Sequence, residues 1–216
     1  TRLEPDGRYA GIVRCRLDQP RETVAVWDKS PGDFPVTLSA DGRFAGSQFP
    51  WPDVSLISLP AGSRFVTKHG GCNGCVAPDN SYRLIHVDVL HKGVYVYNHL
   101  FEGSPEASAM VQLGHFVKRA RYSNHPRALT FYGYSHVTRK NRQDVSFAWF
   151  NDKYDGVDGI VNFQTAHNDV LPFAWVDTAG CKDFQYPLGQ FVGEAPFAVE
   201  LQSKQITADA AWDFGD

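Results

Sequence analysis

YRLIHVDVL, residues 82–90, decides how this chain is read. Tyr82, Leu84, His86, Asp88 and Leu90 alternate with Arg83, Ile85, Val87 and Val89. The second set is apolar apart from Arg83, and the first mixes apolar with polar side chains. A period of two marks a β-strand, and this contrast predicts one buried and one partly wet face. HKGVYVYNHL, residues 91–100, follows directly. His91, Lys92 and Gly93 read as a hairpin connection in which Gly93 supplies a positive φ. Val94 and Val96 then alternate with Tyr95 and Tyr97, so the two runs predict neighbouring strands of a meander.

The same signature recurs outward in both directions. Runs rich in Val, Ile, Thr, Phe and Tyr lie between Gly and Pro breakers at 9–16, 23–27, 54–59, 64–67, 116–122, 129–137, 145–150, 160–164, 173–176 and 197–202. Helical signals are few. PEASAMVQL, residues 105–113, predicts one short helix with Ser104 as N-cap and Pro105 at its first position. Residues 207–212 predict a further helical turn. No internal repeat and no low-complexity tract is visible, and the Pro-rich stretch 30–62 reads as long surface loops. The expectation is an all-β fold: one antiparallel β-barrel or β-sandwich domain over residues 1–216, with long loops and little helix.

Composition narrows the partners. The 216 residues are 43% hydrophobic and 21% charged, which suits a globular chain that buries its own core. The net charge is −3 and no Lys/Arg run exceeds two residues, so a nucleic-acid partner is not expected. No apolar run reaches the length of a membrane span, so no membrane insertion is expected. Thr1 opens the chain and Met110 is its one methionine, which reads as a processed piece of a longer product.

KHGGCNGC, residues 68–75, carries the most conspicuous chemistry. Cys72 and Cys75 stand three apart, but structural zinc needs a second ligand pair, and Cys15 and Cys181 are solitary. A redox CxxC opens a helix, whereas Gly70, Gly71, Gly74 and Pro78 offer none here. The expectation is a glycine turn between strands, with no metal and no cofactor. His86 with Asp88, and His99, His125, His136 and His167, have no nucleophile elbow or HExxH motif around them. DKYDGVDG, residues 152–159, lacks EF-hand spacing and reads as polar turns.

The FPWPD loop, residues 49–53, is the best candidate contact. Its prolines stiffen it, Trp51 can stack on a sugar ring, and Asp53 can accept hydroxyl hydrogens. Lys68 and His69 form a second candidate. Tyr95 and Tyr97 are expected on an association face of a homodimer.

Many short strands, Pro/Gly loops, an aromatic-rich core, the opening TRLEPDGRYAGIVR and the acidic end ADAAWDFGD together resemble the capsid spike domains of astroviruses, avian members in particular. The resemblance covers the layout of the whole chain without a diagnostic motif. It implies a barrel-centred spike that dimerises on the virion surface and attaches to a host-cell receptor or glycan without catalysis. Capsid assembly in the cytosol would keep the thiols reduced. The alternative is a secreted β-sandwich carbohydrate-active enzyme, a polysaccharide lyase or glycoside hydrolase, with His, Tyr and Arg or paired carboxylates in a groove.

Overall fold

The computed structural model describes residues 2–3, 9–16, 19–27, 36–49, 52–59, 61–113, 116–134 and 143–164, with side chains from residue 36 onward except 133–134, 143–144 and 163–164. In chain order the strands are β1 (Arg2–Leu3), β2 (Tyr9–Arg16), β3 (Gln19–Trp27), β4 (Thr37–Leu38), β5 (Phe44–Gln48), β6 (Val54–Ser58), β7 (Arg64–Val66) and β8 (Gly71–Val76). They continue as β9 (Leu84–Asp88), β10 (Gly93–Tyr97), β11 (Ala109–Gln112), β12 (Lys118–Tyr122), β13 (Ala128–Tyr134), β14 (Gln143–Phe150) and β15 (Val157–Gln164). The only helical element among the described residues is a 3-10 turn, Leu100–Glu102. The fold is all-β and antiparallel, with no closed barrel among the described sheets.

One sheet is three-stranded, in the order β1-β2-β3. The other three are four-stranded meanders: β4-β5-β6-β7, β11-β10-β9-β8 and β12-β13-β14-β15. Each takes four consecutive strands, the unit from which blade-type repeat proteins are built. The first turn recurs with the same hydrogen bonds. Ser39 N–H donates to Phe44 O, Ala77 N–H to Arg83 O, and Ser123 N–H to Ala128 O. Inside each turn one side chain accepts the amide hydrogen two residues on: Asp41 from Arg43, Asp79 from Ser81, His125 from Arg127. Such local acceptors close a turn without help from distant residues. The expected absence of an internal repeat is therefore corrected: the repeat lies in backbone events.

β8 and β12, the first strands of two meanders, also share a bulge. Cys72 pairs with Val87 and Cys75 with Ile85, so three steps on β8 face two on β9. Lys118 pairs with Tyr132 and Arg121 with Thr130 in the same way. The second bulge residue in each, Asn73 at φ 59° and Arg119 at φ 49°, is left-handed, which takes up the extra residue. CNGC is thus strand, not the expected glycine turn.

Three further expectations change. Residues 105–113 form no helix; Ala109–Gln112 is strand β11, because pairing in the sheet overrides local helix propensity. The left-handed residue in the hairpin after β9 is His91, at φ 57°. Gly93 begins β10 and serves close packing instead, since a Cβ there would lie 2.1 Å from Val111 O. Finally, β9 is buried at every position, not on one face alone. The strands expected at 173–176 and 197–202 and the turn at 207–212 lie outside the described residues.

The chain divides into two compact units, Thr1–Val89 with Tyr95–Ser108, and Leu90–Val94 with Ala109–Asp216. In the first, Phe44, Val54 and Leu56 pack with Val76, Leu84, Tyr97 and Leu100, so β5–β6 lie against β8–β10. Burial of each such side chain contributes about 1.5–3 kcal/mol. Tyr82 closes the edge of this core, its ring 4.4 Å from Phe44 and 5.2 Å from Phe101. In the second unit Leu129, Phe131, Phe147, Trp149 and Phe150 are buried, and buried Ser146 donates its hydroxyl to Asn162 Oδ1 across β14–β15 at 2.6 Å.

Candidate functional site

The hairpin loop after β5 begins at Phe49, which is buried and gives its N–H to Asp53 O at 2.9 Å. Trp51 lies outside the described residues. Asp53 is half-exposed, and Oδ2 accepts from Arg64 Nη2 at 2.8 Å while Arg64 Nε donates to Ser55 Oγ at 3.0 Å. The expected hydroxyl acceptor is therefore one half of an ion pair at the surface.

Thr67 anchors the next stretch to this loop. Its N–H and hydroxyl both reach Val54 O, at 3.0 and 3.1 Å, and Gly71 N–H reaches Pro52 O at 3.4 Å. Lys68 N–H donates to Pro105 O, and its exposed Nζ meets Glu106 Oε1 at 2.5 Å. The His69 ring lies flat on Tyr95, with centroids 4.5 Å apart and planes 4° from parallel. His69 and Tyr95, expected separately, thus meet in the first unit, and backbone bonds from Thr67 and Gly71 tie the stretch carrying Lys68 and His69 to the loop of Asp53. Arg64 and Glu106 pair with Asp53 and Lys68. Sequence reading missed both: Arg64 sits in an ordinary strand, and Glu106 in a stretch with helix-like composition.

Tyr97 does not reach the surface. It is fully buried in its own unit, and its hydroxyl is 3.0 Å from His86 Nε2. It therefore presents no face to a partner. His86 Nδ1 lies 3.0 Å from Val87 O, a carbonyl that can only accept, so Nδ1 carries the hydrogen and Nε2 accepts from Tyr97. Burial pushes the His86 pKa down to about 4, and burial likewise raises the Tyr97 phenol. This is a neutral, satisfied core pair. Gln48, also fully buried, donates from Nε2 to Gly71 O at 2.6 Å; its Oε1 has no partner among the described residues.

The other chemical candidates are spoken for locally. His99 is exposed beside Glu102, at 3.3 Å. His125 stacks on Trp149 at 4.6 Å; His136 and His167 lie outside the described residues. In the 152–159 stretch, Arg127 holds both Asp152 and Asp158, and Asn151 holds Asp155. A guanidinium thus supplies the positive charge that a calcium ion would bring. Cys72 and Cys75 are in no disulfide, and no group of three His, Cys, Asp or Glu side chains among the described residues is placed to hold a metal. No helix among them is long and apolar enough to cross a membrane.

No protein-family model matches the chain, and no curated protein sequence matches it. Solved structures do. The chain is similar to Kuenenia stuttgartiensis hydrazine synthase at 16% identity and a TM-score of 0.45, over 67% of this chain and 38% of that one. It is similar to TolB from Acinetobacter baumannii at 15% and 0.44, over 62% and 34%. A prolyl endopeptidase matches at 13% and 0.41, over 76% and 26%. The chain thus spans little more than a third of the length of these structures at most. Likeness at this level carries nothing about function.

Proposed function

We propose that the chain is a non-catalytic recognition module that binds a glycan or a cell-surface receptor at the surface built by Asp53, Lys68, His69 and Tyr95. The observation that carries this reading is the His69 ring stacked on Tyr95 next in sequence to the Lys68–Glu106 pair, in a stretch that backbone hydrogen bonds tie to the Asp53 loop. Flat rings stack on sugar faces, and paired charges give fixed donors and acceptors for hydroxyls. Buried His86 and Asp88 offer a substrate no access, which favours binding over turnover. Loop-borne recognition is the part of the spike resemblance that these residues support; the capsid setting draws on layout alone.

A glycan array and cell-binding assay on the parent and the Lys68→Ala/His69→Ala double variant test it. Loss of an aromatic anchor and its charged neighbour should weaken binding roughly tenfold or more with the fold intact. Unchanged binding by the double variant, or cleavage of a bound polysaccharide by the parent, contradicts the proposal.

A further inference from the structure

Residues 68–70, which carry Lys68 and His69, form a bend between β7 and β8 rather than strand. Gly71 follows, and it lies so close to the His86 imidazole that a Cβ there would overlap Nδ1 and Cε1. Tyr95 bridges the two histidines, its ring 4.5 Å from that of His69 and 5.3 Å from that of His86. The Tyr97 phenol is 3.0 Å from His86 Nε2. Thr67 and the His69 backbone are further hydrogen-bonding neighbours of that phenol, and the His69 backbone is also one of the imidazole. The bend thus closes over a fully buried, titratable ring.

We propose that the His86–Tyr97 pair is an acid-operated latch under the recognition surface: protonation of His86 frees the 68–70 bend, and the surface releases its ligand. This rests on the recognition reading of His69 and Tyr95 and adds its regulation. In the closed state Nδ1 donates to Val87 O and Nε2 accepts from Tyr97. A proton added at Nε2 turns that acceptor into a donor, so the phenol hydrogen has to turn away. The ring then holds a charge that no solvent reaches. Burial is the largest influence on that charge and opposes it; the Val87 carbonyl favours it, His69 opposes it from the bend, and Asp88 favours it from β9. β10 faces the ring with Tyr95 and Tyr97, and β5 reaches Gly71 O through the uncharged amide of Gln48. Lifting the bend lets water hydrate the cation and carries the His69 ring away from it. The stack on Tyr95 and the Lys68–Glu106 pair are both anchored in that bend, so they are lost together.

The test follows hydrogen exchange at residues 68–71 in the ligand-free full chain, each amide corrected for its intrinsic rate. A ring whose pKa is about 4 when covered and 6.5 when hydrated holds the bend fully closed above about pH 6.5 and gives way as pH falls. Opening should therefore rise roughly 40-fold from about pH 6 to about pH 4, while the amides of β6 do not follow. His86→Gln, whose amide oxygen still accepts from Tyr97, should keep the bend closed throughout. A readout that needs no variant is the imidazole nitrogen signals of His86, which should titrate over the same range as the opening. The glycan that the parent binds best on the array should be released by the parent over that range and retained by His86→Gln. Acid opening in a parent that binds no glycan at any pH would uphold the latch and overturn the recognition reading. Exchange at 68–71 that stays flat while His86 titrates, or that rises equally in His86→Gln, overturns the latch.

Discussion

Tyr97 gives its hydroxyl hydrogen to Nε2 of His86 across 3.0 Å in the core of the first unit. The imidazole must stay neutral to accept it, and burial lowers its pKa from 6.5 to about 4. Between those values the unfolded chain binds a proton that the folded chain refuses. Stability from this residue is therefore full above about pH 6.5, falls as pH drops towards 4, and is lost by about 3 kcal/mol there. Urea unfolding across that range should show a steeper decline in the parent than in His86→Gln, whose amide oxygen can still accept from Tyr97. Equal declines would mean that His86 titrates freely.

The two central glycines of KHGGC should differ sharply. A Cβ on Gly71 would lie 2.2 Å from His86 Nδ1 and 2.3 Å from Val87 O, a backbone atom that cannot step aside. A Cβ on Gly70 meets nothing nearer than Pro52 O at 3.8 Å. Gly71→Ala should cost roughly 3 kcal/mol of stability, and Gly70→Ala almost nothing. Denaturant midpoints of the two variants check this, and equal midpoints would contradict the packing around His86.

Arg127 joins three partners in the second unit: Asp152, Asp158 and the Phe150 carbonyl. Asp152 is 88% exposed, so that pair should contribute little. Asp158 and the carbonyl carry the effect. Arg127→Met should keep the stem packed on Trp149 yet lose about 1–3 kcal/mol, whereas Asp152→Ala should stay within about 0.5 kcal/mol of the parent. Calcium should leave the urea midpoint unchanged. Urea melts followed by tryptophan fluorescence, with and without calcium, read all three outcomes.

Runs rich in β-branched and aromatic residues were legible: 9–16, 54–59, 94–97 and 145–150 were placed as strand and hold β2, β6, most of β10 and β14. β5 and β8 were not, because FAGSQ and GCNGCV hide the period behind small residues and, in β8, a bulge. The repeat escaped because the acceptor that closes each turn is Asp41, Asp79 or His125, so the geometry recurs while the residue changes. At the site, Lys68 and His69 announced themselves as a charged turn. Tyr95 and Tyr97 looked alike, being two apart on one face of β10. Depth separates them: both rings lie near His86, at 5.3 and 5.4 Å, but Tyr97 is fully buried while Tyr95 is partly exposed and also stacks on His69. That difference arises from what packs over each end of β10, which periodicity along one strand does not encode.

The most direct test of the recognition surface is hydrogen-exchange footprinting of the full chain with and without its best-bound glycan or receptor fragment. The account predicts slowed exchange concentrated at residues 52–53, 67–71 and 104–106 and at Tyr95, with β9 unchanged because its amides are already buried. Protection confined to the second unit, or spread evenly over the chain, would contradict it.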